Sequence, residues 1–156
     1  MTTFISKTML TELSKAAKAS PRLRKNLNFH HDNEAQCHRL LNALALGTYV
    51  QPHCHLAPEK EESLVVLAGQ IGLVIFSDDG RVVQTVVLAP NTENLGVTIP
   101  TGVFHSMLAL QEDSVFFEAK AGPYKPISAL EKAAWAPEEG TVGCADYLSQ
   151  LHTLFV

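Results

Sequence analysis

The sequence has little of what marks a secreted, membrane-spanning or nucleic-acid-binding protein. Cysteine occurs only at Cys37, Cys54 and Cys144, an odd number with no close pairing pattern. A disulfide framework is therefore not expected, and we expect a reducing, cytoplasmic environment. The longest apolar stretch, residues 64–75, is interrupted by two glycines and a glutamine. No run reaches the roughly 18–20 apolar residues of a membrane helix.

Clustered positive charge is also scarce. The net charge is −4, and the one basic cluster comprises Arg22, Arg24 and Lys25. Proteins that bind nucleic acids or membrane surfaces normally carry a basic patch, so we expect neither partner. Residues 1–18 mix charged and apolar side chains and lack the apolar centre of a secretory signal.

What is present suits one globular domain over residues 1–156, with a core of ordinary size. Apolar residues make up 46% of the chain and charged residues 18%. Apolar residues at helical spacing predict a helix over residues 7–18, which Ser20-Pro21 ends. C-terminal helices are predicted within 128–155, the first one capped by Ser128 and Glu131.

The centre of the chain, residues 40–120, has the pattern of an all-β protein. Short apolar runs alternate with turn residues, as in the Asp-Gly pair at 79–80. So many short strands are typical of a sandwich or a closed barrel. The predicted strands are residues 40–50, 62–68, 71–77, 81–88, 96–99, 104–110 and 114–120. Residues 22–39 are read as irregular structure or short edge strands.

Four side chains form a candidate metal site. His53 and His55 share one face of a strand, because alternate side chains point to opposite faces. Glu62 opens the next predicted strand, and a hairpin would fold it back towards the pair. His105 follows a Pro-x-Gly turn. Nitrogen and carboxylate donors of this kind suit one divalent ion, such as Fe, Mn, Ni or Zn, without identifying which.

These segments resemble the two sequence motifs of the cupin superfamily. The first motif is matched by Gly47, His53, His55, Glu62 and Gly69, although the gap of six residues between His55 and Glu62 is longer than usual. The second motif is matched by Pro100, Gly102 and His105, with Ala109 in place of its asparagine. The resemblance implies an RmlC-like double-stranded β-helix, or jelly-roll barrel, with short terminal helices.

The unusual gap leaves the fourth ligand open. Glu59 and Glu61 compete with Glu62 for this role, and we favour Glu62 because it lies at the motif's usual distance before Gly69.

A narrower resemblance comes from two further segments. Residues 116–126, Phe-Phe-Glu-Ala-Lys-Ala-Gly-Pro-Tyr-Lys-Pro, and the spaced polar residues of 20–30 look like the WbuC family of cupin-fold metalloproteins. This resemblance implies a bacterial protein, often encoded among genes for O-antigen and other surface polysaccharides. It implies no established reaction.

Several polar residues are candidates for the pocket around the metal. Glu118 lies in an apolar run, where a carboxylate needs a partner, and is predicted to be an acid/base group; the alternative is a surface pair with Lys120. Tyr124, His30 and Asn28 are predicted to line a small-molecule pocket. The alternatives are simple packing for Tyr124 and a solvated face for His30 and Asn28. We expect Lys60 to lie on a solvated loop and His31, His38 and His152 to lie at the surface.

Three functions are compatible with this pattern. The favoured one is a metal-dependent enzyme, of the isomerase or epimerase kind, acting on a sugar or sugar nucleotide. The second is an Fe(II)-dependent dioxygenase, and the third is a non-catalytic module that binds or senses a small ligand. Exposed sheet edges and terminal helices lead us to expect a homodimer.

Overall fold

The structure, a computed structural model, describes residues 2–156 and consists of eight β-strands and two α-helices. Met1, the first residue of the predicted domain, lies outside the described residues. The strands are β1 (Arg24–Asn28), β2 (Cys37–Leu44), β3 (Glu62–Ala68), β4 (Ile71–Phe76), β5 (Val82–Leu88), β6 (Gly96–Ile99), β7 (Phe104–Ala109) and β8 (Ser114–Ala121). The helices are α1 (Lys7–Ala19) and α2 (Cys144–His152), and a short 3-10 helix, Thr153–Phe155, follows α2.

The strands form two antiparallel sheets. The larger sheet has the order β1-β2-β8-β3-β6, and the smaller sheet has the order β5-β4-β7. These sheets confirm the all-β prediction and the positions of most predicted strands. The register of the larger sheet places Glu62 of β3 opposite Lys120 of β8, and Leu40 of β2 opposite Glu118 of β8.

Apolar side chains pack between the two sheets and beneath a helix on the outer face of each. Between the sheets lies a core that includes Leu64, Leu73, Met107 and Phe116. Helix α1 packs on the outer face of the larger sheet, and α2 packs on the outer face of the smaller one. Among residues 2–156, no helix has both the length and the apolar character that crossing a membrane would require.

The turn between β3 and β4 depends on a glycine. Gly69 has a φ angle of +70°, which side-chain-bearing residues rarely adopt. A Cβ atom at this position would also lie 2.4 Å from Ser114 Oγ at the start of β8. Gly69 therefore allows β3 to turn back while β8 passes close to it.

Two sequence predictions about regular structure were wrong at their edges. The strand predicted over 40–50 ends at Leu44, because the chain turns at Gly47, whose φ angle is +88°. The helix predicted to begin at Ala129 is a single turn, although Ser128 does donate to Glu131 as predicted. Its continuation is prevented because the Ala133 N–H donates to the carbonyl of Pro52 rather than within a helix.

Candidate metal centre

The two clustered histidines lie in an extended segment outside the named strands. The backbone N–H of His53 donates to the His105 carbonyl at 3.0 Å, and the N–H of His105 donates back at 2.9 Å. On the other side, the Cys54 N–H donates to the carbonyl of Glu131. This pairing extends the smaller sheet past β7, and the ring centroids of His53 and His55 lie 5.4 Å apart.

Glu62 is the carboxylate that faces these histidines. It begins β3, its neighbours across the sheet are Lys120 and Ile99, and it is 3% exposed. Its Oε2 atom lies 3.1 Å from Nε2 of His55, and its Oε1 atom lies 2.8 Å from Nε2 of His105. The rival carboxylates Glu59 and Glu61 are exposed. The structure therefore places Glu62 next to the histidines and leaves the other two in solvent.

Backbone carbonyls orient two of the imidazole rings. His53 Nδ1 lies 2.9 Å from the carbonyl of Gln51, and His105 Nδ1 lies 2.9 Å from the carbonyl of Val103. Because a carbonyl oxygen can only accept, each ring must donate from Nδ1. The lone pair then resides on Nε2, as in histidines that bind a metal through that atom.

The donor atoms fit a divalent metal ion. One ligand atom from each of His53, His55 and Glu62 can be chosen such that all lie within 4.8 Å of one another. His105 falls outside that set of three, but its ring centroid lies 4.6 Å from that of His53. Nε2 of His105 is close to Glu62 but makes no hydrogen bond. Within residues 2–156, it is the one buried side-chain nitrogen or oxygen atom without a hydrogen bond. An unbonded buried nitrogen is costly, and a metal ion would satisfy it.

The protonation states also suit metal binding. Burial, with a smaller contribution from His105, lowers the pKa of His53 to about 4, so this ring is neutral at physiological pH. Burial alone would raise the pKa of Glu62, but the contacts with His105 and His55 and the charge of Lys120 outweigh it and lower the pKa. A neutral imidazole and an ionised carboxylate are the forms that bind metals.

Lys120 is a site residue that the sequence analysis did not select. Its Nζ atom lies 3.1 Å from Glu62 Oε2, 3.0 Å from Glu118 Oε1 and 3.5 Å from His55 Nε2. Burial alone would lower the pKa of Lys120, but the charges of Glu118 and Glu62 outweigh it and raise the pKa. Strand alternation places Lys120 on the same face as Glu118, so the signal was present in the sequence. Its contact with Glu62 required the register of β3 against β8.

Glu118 lies between that lysine and an amide. It is 8% exposed, and its Oε2 atom accepts a hydrogen bond of 2.7 Å from Asn42 Nδ2. The expected alternatives for Glu118 were a pocket position near the metal and a surface pair with Lys120. The pair does form, but it is largely buried and adjoins Glu62.

Two neighbouring cavities share Lys120 and Tyr124 in their walls, and the first of them adjoins two candidate ligands. One, of about 360 Å³, is lined by His53, His55, Lys60, Lys120 and Tyr124 among others. The second, of about 530 Å³, is lined by Asn28, His30, Glu118, Lys120 and Tyr124 among others. The three predicted pocket residues Tyr124, His30 and Asn28 therefore line one cavity, and Tyr124 and Lys120 border both.

Two expectations about exposure were wrong. Lys60 is 8% exposed rather than solvated, because its ammonium group donates to the carbonyls of Ala121 and Pro123 at 2.6 and 2.5 Å. His38 is 7% exposed rather than at the surface, because its ring stacks on His30 at a centroid distance of 4.0 Å. Lys60 is thus buried by a segment far away in the sequence, and His38 is buried by the segment that follows β1.

Solved structures of other proteins share this architecture. KdgF from Halomonas sp. is 16% identical, and the match covers 69% of this chain and 84% of that one with a TM-score of 0.52. A cupin superfamily protein from Desulfitobacterium hafniense is 12% identical, with coverage of 70% and 86% and a TM-score of 0.51. These likenesses confirm the predicted cupin fold and show the fold alone. The narrower resemblance to the WbuC family stays a prediction.

A comparison with curated proteins gave no match. A family model described as "Domain of unknown function (DUF6016)" matches residues 5–88, which is more than half of the chain. This matched region includes β1 to β5 and the candidate ligands His53, His55 and Glu62. The chain therefore belongs to the DUF6016 family, here with a cupin fold and a His-His-Glu group that could hold a metal ion.

Proposed function

We propose that this protein is a metal-dependent enzyme that acts on a sugar or a sugar nucleotide in the synthesis of bacterial surface polysaccharide. The observation that carries the proposal is the contact chain from Glu118 through Lys120 to Glu62. It puts a carboxylate suited to proton transfer beside the candidate metal ligands and at the wall of a cavity. The link to polysaccharide rests on the resemblance to the WbuC family. A cytoplasmic homodimer is part of the same proposal.

His53, His55, Glu62 and His105 would hold the metal. A bound divalent ion would supply Lewis acidity, which polarises a carbonyl group or holds neighbouring hydroxyl groups of a sugar. The neutral form of His53 and the ionised form of Glu62 prepare the group for such an ion. Fe, Mn, Ni and Zn all suit this mixture of nitrogen and carboxylate donors.

Glu118 would transfer the proton. Both of its oxygens are held, Oε1 by the ammonium group of Lys120 and Oε2 by the amide of Asn42. Contacts of this kind fix the direction of the carboxylate, which is what a group that exchanges a proton with a substrate requires. Lys120 would act as a positioning residue, because its ammonium group holds the carboxylates of Glu118 and Glu62.

The second cavity supports a ligand rich in hydroxyl groups. Side-chain amides of Asn26, Asn28, Asn33 and Asn42 line its wall, together with the ring of His30. An amide both donates and accepts hydrogen bonds, so a row of amides matches the hydroxyl groups of a sugar better than an apolar ligand. This strip begins at Glu118 and runs over β2 to the edge strand β1.

The test is to load the purified protein with Mn, Fe(II), Ni or Zn and to follow a panel of sugars and sugar nucleotides by NMR. We expect turnover of at least one member, and a loss of about 10²–10⁴ in rate in Glu118→Gln with its metal content unchanged. Glu61→Gln is the matched control, because this exposed neighbour of Glu62 should leave the rate unchanged.

The same panel separates the alternatives. A dioxygenase would consume oxygen when the Fe(II)-loaded protein meets its substrate, whereas an isomerase would not. A binding module would show saturable binding without any product, and Glu118→Gln would then change affinity alone. Absence of both binding and turnover with every metal would overturn the proposed enzyme.

A further inference from the structure

The cavity beside His53 and His55 is lined by several positively charged side chains. Three lysines line it: Lys60, Lys120 and Lys125. Lys120 is neutralised by its contacts with Glu118 and Glu62. Within residues 2–156, Lys60 and Lys125 have no carboxylate oxygen within 4.0 Å.

Lys60 is the unusual member of this group, because an ammonium group is seldom buried without a carboxylate. It is 8% exposed, and its Nζ atom contacts only the two carbonyls of Ala121 and Pro123. An ammonium group has three N–H bonds, so one donor is left for the cavity. The two carbonyls hold Nζ in place but do not cancel its charge.

Among residues 2–156, Glu131 is the carboxylate that lines this cavity, and it is already engaged. Glu131 Oε1 accepts from the backbone N–H of Leu56, and Oε2 accepts from the N–H and the hydroxyl group of Ser128. Glu131 therefore holds the cavity wall and does not pair with Lys60 or Lys125. No carboxylate of residues 2–156 pairs directly with either lysine, which leaves both free to pair with a bound anion.

We propose that Lys60 and Lys125 form a subsite for an anionic group of the substrate, a carboxylate or a phosphate, in the cavity that also contains His53 and His55. This inference rests on the proposed function, because it takes the bound anion to be part of that enzyme's substrate. The two lysines are not among the candidate metal ligands. The cavity of about 360 Å³ is at the lower end of the range for ligand sites, roughly 300–1,000 Å³. An acid the size of a monosaccharide fits this volume.

The experiment compares three sugars that differ only at carbon 6: glucose, glucuronate and glucose 6-phosphate. Binding to the full chain is measured by calorimetry, with the protein both metal-free and Zn-loaded. We expect at least one of the two acids to bind about tenfold or more tightly than glucose, since hydrogen bonds to charged groups are the stronger ones. The preferred acid identifies the source of the anion, and added salt should weaken the preference.

Substitutions locate the subsite. Lys60→Gln and Lys125→Gln should each reduce the preference for the acid, Lys60→Gln to below about threefold. Lys7→Gln removes the same charge from exposed α1 and should leave the preference unchanged. Lys60→Gln could fail to fold, as circular dichroism would show. The exposed Lys125 still decides the question then, because its side chain makes no ion pair within residues 2–156 that the fold would lose.

Failure of this subsite can be told from failure of the proposed enzyme. Equal binding of all three sugars, no saturable binding of either acid, or an undiminished preference in Lys125→Gln and in any folded Lys60→Gln would overturn the subsite. A preference for an acid in metal-free protein, lost in the lysine variants, would support it even if no turnover were found.

Discussion

The two sheets of this protein face each other but differ in the chemistry of their inner faces. The smaller sheet contributes Ile71, Leu73 and Met107 to the core, and His105 together with the paired segment of His53 to the candidate metal centre. The larger sheet is apolar at one end and polar at the other, where Glu62 and Glu118 lie beside Lys120. The comparison teaches that the carboxylates and Lys120 are concentrated on half of the larger sheet, whereas the imidazoles come from the smaller sheet and the segment paired to it.

The position of His105 qualifies this division. It is the candidate ligand supplied by β7, and its backbone also holds the segment that carries His53. The smaller sheet thus completes the site from the opposite side. The candidate metal centre, rather than either sheet alone, joins the two faces.

The largest effect is expected from removing a ligand. His53→Ala or His105→Ala should reduce bound metal by at least about tenfold, because even residues that only support metal ligands are worth 10–100-fold in affinity. Elemental analysis after dialysis against Zn measures it. His31→Ala, an exposed histidine, is the control. Full metal content in both ligand variants would refute the site.

The next effect tests the apolar sheet. Leu73→Ala removes a side chain that is 2% exposed and should lower the free energy of unfolding by about 2–5 kcal/mol through lost burial and a new cavity. Urea denaturation of the metal-free protein measures it. Val83→Ala, on exposed β5, should cost less than about 0.5 kcal/mol. Equal losses in both variants would contradict the assignment of stability to the inner face.

A smaller effect is expected from the polar half of the larger sheet. Lys120→Met leaves Glu62 and Glu118 buried without their cation and should cost about 1–3 kcal/mol in the metal-free protein. In a Glu118→Gln background the same change should cost less, by at least about 0.5 kcal/mol, because one of the two carboxylates is already neutral. Strict additivity in urea denaturation would show that Lys120 and Glu118 are not coupled.

The smallest effect is expected from the ion pairs that Arg22 and Arg24 form with Glu139, outside both inner faces. The contact with Arg22, supported by Arg24, lowers the pKa of Glu139 to about 2, although partial burial opposes it. A carboxyl group whose pKa is lower in the folded state stabilises the protein above its unfolded pKa, about 4.5, and loses this contribution as the pH falls towards 2.

Glu139→Gln should therefore cost about 1 kcal/mol at pH 7, a value kept small because the side chains are partly exposed, and almost nothing near pH 2. Glu138→Gln, whose exposed pair with Lys132 is longer at 3.4 Å, should cost less at pH 7. Urea denaturation at several pH values measures both. A cost of Glu139→Gln that does not depend on pH would contradict the ion pair.

Much of the fold and the outline of the site could be predicted because they depend on local patterns. Alternation in β3 to β8 and the turn residues between them indicated most strands within one or two residues. The strand predicted to reach residue 50 ends early because the chain turns at Gly47. The helix predicted from Ala129 failed because its residues pair with a segment distant in sequence. Residues 52–55 pair with His105 on one side and with residues 131–133 on the other, and no local pattern reports such pairing.

A metal site could be predicted from the spacing of four donor residues along the chain: His53, His55, Glu62 and His105. Donors on alternating strand positions share a face, which constrains where their side chains point. The partners of that site were decided by tertiary structure. Lys120 meets Glu62 through the register of β3 against β8, and Lys60 is buried by the carbonyls of residues 121 and 123. Contacts between residues more than fifty positions apart depend on how the strands pair, which composition and periodicity do not contain.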